Sequence, residues 1–573
     1  MLHLKLEDRL RAAVSEVIAD ANSEVVQVRP CPDPKFGDYQ TTSLMTLAKQ
    51  RKMNPRQFAS EVLQRLDVSE WCESVEIAGA GFLNFRVKNA AVAAELESAL
   101  KGGTLFFQRT TTPRTIVIDF SSPNVAKPMH VGHIRSTLLG DSLGRLLRLL
   151  GHRVITDNHI GDWGTQFGML IVGWKRDLDR KALEADPVAE MDRLYKKIYA
   201  ACETDLAVRE QARQELVKLQ RGDETNRAIW REMIALSQAQ FDAIYRRLGV
   251  KFDHTIGESF YNPQLQATVD QLRARGIARE SEGALAVFFE HVPALKEQPA
   301  LIQKSDGGFN YTTTDLATLE YRLATWKPDD IVYVTDGRQQ LHFQQLFAVL
   351  RQWHPEAKVN LAHVWFGSIL GEDGKPFKTR TGENVKLADL LDEAEERAFA
   401  VVTEKSPELP EAQRREIARA VGISAVKYAD LLPNRQSDYV FSWEKMLAMD
   451  GNTAVYLLYA YARIRSIFRK GSIDENSLRT AAIRLEASHE IALGKHLLKF
   501  GLVLEAAKDD YRPNFICNYL YDLASIFAGF FENCPVLKSE AKVRESRSAL
   551  CLLTGSVLKQ GLEVLGIKPL EQM

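Results

Sequence analysis

The spacing of apolar residues changes character several times along the 573-residue chain. From Leu4 to Ala21 and from Pro55 to Leu66 they recur at helical intervals, while Gly81-Phe82-Leu83-Asn84-Phe85-Arg86-Val87 alternates as a short strand. Residues 1–105 therefore read as a small α+β domain, closed by linker-like sequence at Lys101 to Pro113. Apolar runs at Thr115 to Phe120, Arg153 to Thr156, Ile331 to Thr335 and His363 to Leu370 predict strands of a parallel, Rossmann-type sheet over 106–400. Leu138, Leu139, Leu143, Leu146, Leu147 and Leu150 repeat at helical spacing until Gly151 offers a C-terminal cap. Between about 172 and 299 the pattern becomes one of charged helices, as in Asp192 to Ala201 and Glu224 to Leu248, and reads as a mainly helical insertion into the sheet domain. From about Glu393 strand signals nearly vanish, so 401–573 is expected to be an all-α bundle.

Composition adds little to this outline. Lys and Arg number 74 against 75 Asp and Glu, a formal net charge of −1, which neither requires nor excludes a nucleic-acid partner. No apolar run approaches the roughly twenty residues that span a bilayer, and the N-terminus lacks a signal-like apolar core; cytoplasm is the expectation. The six cysteines are scattered, without metal-ligand or disulfide-framework spacing, so no structural metal is expected and the thiols are read as reduced and buried.

The chemistry concentrates in Pro123-Asn124-Val125-Ala126-Lys127-Pro128-Met129-His130-Val131-Gly132-His133, between the Thr115–Phe120 run and the leucine-rich helix. A turn that opens a helix offers free backbone N–H groups and the positive end of the helix dipole to an anion. His130 and His133 are three apart and can face one side, Gly132 lets a nucleotide approach the backbone, and Lys127 can set a cation near a leaving phosphate. A zinc reading of the histidines lacks further ligands nearby, and a solvated surface Lys remains the plain alternative for Lys127.

The stretch from Phe120 to Leu170, FSSPNVAKPMHVGHIRSTLLGDSLGRLLRLLGHRVITDNHIGDWGTQFGML, resembles the signature region of the arginyl-tRNA synthetases, class I aminoacyl-tRNA synthetases. GDYQTTSLMTLAKQ and GFLNFRV resemble that family's N-terminal domain, and YLLYAYARIRSI the start of its helical C-terminal domain. The resemblance implies an arginine–tRNA ligase that forms arginyl-adenylate from L-arginine and ATP, with Mg2+, and transfers the acyl group to the 3′-terminal adenosine of arginine tRNA. It further implies charging at the 2′-hydroxyl, a need for bound tRNA before activation, and a monomer touching the acceptor end, outer corner and anticodon loop of the tRNA. Membrane is not among the expected partners.

The same resemblance assigns residues. Pro123, His130, Gly132 and His133 are expected around ATP, and Ser122, Asn124 and His133 around the amino and carboxylate groups of the amino acid. The family's second phosphate loop corresponds to Gly371 through Gly382, where Phe377-Lys378-Thr379-Arg380-Thr381 keeps two cations but not the usual second Lys. Lys378 and Arg380 are the expected phosphate contacts there, and Lys127 the compensating cation. Tyr311 and Asp315, four apart, are expected to hold the guanidinium, with Gln339 beside it; on spacing alone they read as a Thr-rich helix start with Asp315 in its first turn. Interleaved aromatics and arginines in Tyr456 to Arg465 suit single-stranded bases, although aromatics at helical spacing also serve as core. Lys427, Arg435, Arg463, Arg465, Arg469 and Lys470 are candidate phosphate contacts, or a solvated charged face. Two rival readings stay open at this point: another class I synthetase or nucleotidyltransferase with the same histidine motif, and a catalytically silent tRNA-binding relative.

Overall fold

The computed structural model describes residues 1–20, 25–102, 104–377 and 385–573, which cluster into two compact units. The larger runs from Thr110 to Leu447 with Val564–Gly566. At its centre lies a five-stranded, wholly parallel sheet in the spatial order Asn360–His363, Asp330–Val334, Thr115–Phe120, Arg153–Asn158, His254–Thr255. Numbered along the chain this is 5-4-1-2-3, which from the other edge reads 3-2-1-4-5, the doubly wound Rossmann order without its sixth strand. The Thr115–Phe120 run is continuous in apolar residues because both faces of the sheet are covered: Val117, Ile118 and Phe120 are fully buried. Helix Val131–Leu149 lies so close to that strand that a Cβ on Gly140 would stand 2.1 Å from Cγ of Phe120.

Two expectations are corrected here. His363–Leu370 is not one strand: the sheet takes Asn360–His363, while Ile369–Leu370 pairs in parallel with Tyr439–Val440. Val364, Phe366 and Ile369 are buried along the run, but Gly367 donates its N–H to Arg435 O and a Cβ there would strike Asp438 at 2.6 Å, so the chain leaves the sheet. The segment read as inserted helices also holds strands. After five helices from Gln166 to Leu248, four of them N-capped by Asp179, Asp186, Asp205 and Asp223, the chain returns to form the sheet's edge strand His254–Thr255. It then builds a three-stranded antiparallel sheet from Ala278–Ser281, Ala284–Val287 and Ala300–Gln303. Helix Glu411–Leu431 belongs to this larger unit, tied by the buried Arg135–Asp430 ion pair at 3.3 Å.

The smaller unit joins Met1–Arg109 with Ala448–Glu563 and Ile567–Met573. It holds a four-stranded antiparallel sheet from Arg29–Pro30, Tyr39–Thr41, Phe82–Val87 and Cys72–Ala78, with a bundle that includes Ala454–Gly471 and Asn514–Asn533. Lys495 of the bundle pairs with Asp38 at 2.8 Å. All six cysteines are buried free thiols, and no described helix is long and apolar enough to cross a membrane.

Candidate active site

The strand order reverses between Thr115–Phe120 and Asp330–Val334, and the carboxyl ends of those neighbours open the crevice where parallel α/β sheets bind ligands. The turn leaving Phe120 is strained: Ser121, Ser122 and Ala126 have φ of 74°, 46° and 62°, rarely adopted by residues with side chains. Hydrogen bonds fix it. Ser121 N–H donates to Ser136 Oγ (2.8 Å), Ser122 N–H to Asn158 Oδ1 (3.0 Å), and Ala126 N–H to Ser237 Oγ (3.0 Å). Ser122 Oγ donates to Asp119 Oδ1 (3.1 Å), so the hydroxyl oxygen keeps lone pairs for an ammonium group. The glycine-rich return loop completes the turn, with Gly161 N–H donating to Pro123 O and Val125 N–H to Gly161 O, both at 3.0 Å; Asn124 between them is exposed.

His130 caps helix Val131–Leu149, and its Nδ1 accepts from Gly132 N–H at 3.1 Å. In return His130 N–H donates to His133 Nδ1, also at 3.1 Å, a reciprocal capping box built from two imidazoles. With each Nδ1 accepting from the backbone, each neutral ring carries its proton on Nε2. Burial pushes His133 down to about 3, and burial, then the charges of Arg338 and Lys127, lowers His130, so both rings are neutral donors at physiological pH. Their centroids lie 4.0 Å apart. Gly132 serves this arrangement directly, since a Cβ there would sit 2.8 Å from His130 Cε1. The turn is pinned from outside by Val131 N–H to Val385 O and Leu387 N–H to Met129 O, both 2.9 Å. Lys378 and Arg380, just before that segment, lie outside the described residues. Lys127 is exposed, its Nζ 5.1 Å from the Tyr195 ring of the inserted helices.

Tyr311 and Asp315 sit on successive turns of helix Tyr311–Thr325, which is capped by Asn310 rather than by a threonine. Tyr311 is 74% exposed, while Asp315 is partly buried with Oδ2 2.6 Å from His342 Nε2. Gln339 ends the short turn after the Asp330–Val334 strand and is exposed, whereas Gln340 donates its amide to Gly337 O at 3.1 Å. The Tyr311 helix is locked to the sheet by Arg322, whose Nη2 lies 2.6 Å from Asp119 Oδ2 and 2.7 Å from Asp157 Oδ2; its side chain is 0% exposed. Through Asp119 the same cluster reaches Ser122.

Sequence reasoning missed Glu258 and its neighbours. Burial, then the carboxylates of Asp315 and Asp162, push Glu258 up to about 8. Asp162, itself raised by burial, accepts from Ser259 N–H (2.8 Å) and Ser259 Oγ (2.6 Å). A buried carboxyl raised in this way, beside two further carboxyls, marks a candidate site for a cationic ligand. The one signal for it in the sequence is an acid within the otherwise uncharged Ile256-Gly257-Glu258-Ser259-Phe260-Tyr261.

Among the candidate phosphate contacts, Lys427 and Arg435 are corrected: both are buried, and donate to Gly566 O (2.6 Å) and Trp365 O (2.5 Å). Arg465 is held by Glu475 and Glu571 at 2.6 and 2.7 Å, and Arg469 by the Glu571 carbonyl. Arg463 instead lies over the half-exposed rings of Tyr459 (4.7 Å) and Phe531 (5.3 Å).

Three family models match: an arginyl tRNA synthetase N-terminal domain over residues 4–87, the catalytic domain of class I (R) tRNA synthetases over 95–443, and a DALR anticodon binding domain over 457–573. The arginine–tRNA ligase of Escherichia coli is 45% identical over 575 aligned residues, covering 99% of each chain. The solved arginyl-tRNA synthetases of Plasmodium falciparum (29% identity, TM-score 0.84, 100% of this chain and 99% of that one) and Thermus thermophilus (25%, 0.85, 100% of each) share the whole fold.

Proposed function

The chain belongs to the class I arginyl-tRNA synthetases, and from that premise we propose how the residues at the switch point divide the work. The reaction is ATP-dependent charging of arginine tRNA with L-arginine, through arginyl-adenylate, releasing AMP and pyrophosphate. In our reading ATP lies along the Pro123–His133 turn. The arginine carboxylate attacks the α-phosphorus, and negative charge grows on the oxygens around it. His130 and His133 donate Nε2–H to those oxygens without carrying a charge that would also hold the product. Lys127, with Lys378 and Arg380, takes the charge of the departing pyrophosphate. Magnesium would accompany ATP as part of the substrate and would offset phosphate charge there.

For the amino acid, Ser122 accepts from the α-ammonium, Asn124 and His133 flank the carboxylate, and Tyr311, Asp315 and Gln339 surround the guanidinium. Glu258 belongs with them. The observation that carries this half is the buried Glu258, raised first by its burial and then by the charges of Asp315 and Asp162, which a planar cation would offset. Beyond the active site, we assign the tRNA outer corner to the domain over 1–105 and the anticodon loop to the helical region of 401–573, where the Tyr459, Arg463 and Phe531 stack offers planar faces to bases. The acceptor end meets the catalytic region of 106–400, charging falls on the 2′-hydroxyl, and the enzyme works as a cytoplasmic monomer.

The test is attachment of radiolabelled arginine to purified arginine tRNA with ATP, run beside lysine and glutamine and with an Asp315→Ala variant. Arginine alone is charged by the wild type. The variant loses arginine charging while keeping its affinity for ATP; unchanged charging by it would remove Asp315 from the pocket.

A further inference from the structure

We propose that His342 is a specificity-positioning residue: it holds one oxygen of the Asp315 carboxylate and so fixes the plane that the carboxylate presents to the guanidinium. The inference rests on the reading of Asp315 as the guanidinium anchor. A carboxylate only accepts, so in the 2.6 Å contact between His342 Nε2 and Asp315 Oδ2 the hydrogen is on Nε2, and that oxygen is engaged before any substrate arrives. His342 stands in the first turn of helix Gln340–Trp353, directly after Gln339, and its ring is braced edge-on at 5.3 Å by the buried Phe343. One turn of backbone thereby offers Gln339 to the pocket and sets the orientation of Asp315 across from it.

A free carboxylate binds a guanidinium through both oxygens, and it binds an ammonium well too. Oδ2 still has a lone pair for the cation, and the contact with His342 sets the direction in which both oxygens face it. A carboxylate held in one plane matches a planar fork of N–H groups and gives a point charge no such advantage. His342 therefore sharpens the choice of arginine over lysine without touching either.

The experiment is steady-state aminoacylation by the full-length enzyme and its His342→Ala, His342→Gln and Asp315→Ala variants, reading KM for arginine, KM for ATP and kcat separately. His342→Ala should raise KM for arginine about tenfold or more, the loss expected for a hydrogen bond to a charged group, with kcat and KM for ATP held within about twofold. His342→Gln, whose amide N–H reaches nearly as far as Nε2, should restore most of the affinity. An unchanged KM for arginine in His342→Ala overturns the proposal, as does a joint decline of kcat and ATP affinity in both His342 variants. If Asp315→Ala itself binds arginine normally, the pocket reading fails and takes this proposal with it. A strong Asp315 effect beside a silent His342→Ala overturns this proposal alone.

Discussion

The two halves of the proposed active site are built on opposite plans. The nucleotide half is one short stretch of chain in which backbone amides decide everything: they occupy both Nδ1 atoms, fix both tautomers and leave two neutral donors. The amino-acid half is assembled from remote segments, with Asp162, Glu258, Asp315 and His342 each arriving on a different element, and it is governed by charges placed close together. A reaction centre that must hold a growing charge only transiently is served by neutral, rigid donors; a pocket that must select a permanent cation is served by carboxylates that neighbouring donors hold in place.

That contrast can be broken most severely at His130. Asn is a good helix cap but has no group at the position of Nε2–H, so His130→Asn should leave the melting temperature and the KM for arginine nearly unchanged while kcat falls about 10²–10³-fold, as for loss of one oxyanion donor. Equal loss of stability would mean that the ring acts chiefly as a cap. Asp315→Ala should act on the other half, lowering kcat/KM for arginine about 10²-fold or more with little change in KM for ATP, because a cation is left without its partner.

The pH dependence follows from Glu258. Its carboxyl lies at about 8, above its ordinary value, so in the arginine-free enzyme its ionisation opposes the fold, and its contribution to stability falls as pH rises through that value. Arginine prefers the ionised form. Binding below about 8 must therefore expel a proton, and KM for arginine should fall as pH rises toward that value, then level off. Calorimetry in buffers of different ionisation enthalpy would count the proton released, and Glu258→Gln should abolish the release. The smallest effect is expected at Tyr195. Tyr195→Ala should raise KM for ATP only a few-fold, the cation–π contribution of about 0.5–1 kcal/mol, and Tyr195→Phe should be nearly silent because the ring face remains.

How far each half could be read from the chain follows the same division. The strand, turn and helix around His130 are consecutive, and leucine spacing with a flanking apolar run exposes them to direct reading. Tyr311 and Asp315 share a helix and are visible as a pair. Glu258 and His342 join them only through the sheet order, and no local period records that order. Burial misled twice: Lys427 and Arg435 carry the residue types of a nucleic-acid surface yet lie inside, and the apolar run of His363–Leu370 feeds two separate strand pairings. In each case the partner was decided by chain folding back from far away, as with Arg435 and the Trp365 carbonyl.

The buried Arg322 cluster bears on redesign. Asp119 and Asp157 secure the far end of the Tyr311–Thr325 helix to two sheet strands, well inside the protein. The first two turns of that helix can therefore be rewritten, Asp315 included, while its last turns keep their seat and Ser122 keeps its orientation. An engineer seeking to load tRNA with a neutral arginine analogue has, in effect, a socket with a replaceable face on a fixed mount. The substitutions to vary together are at Asp315, Glu258 and His342, and Arg322 is the residue to leave alone.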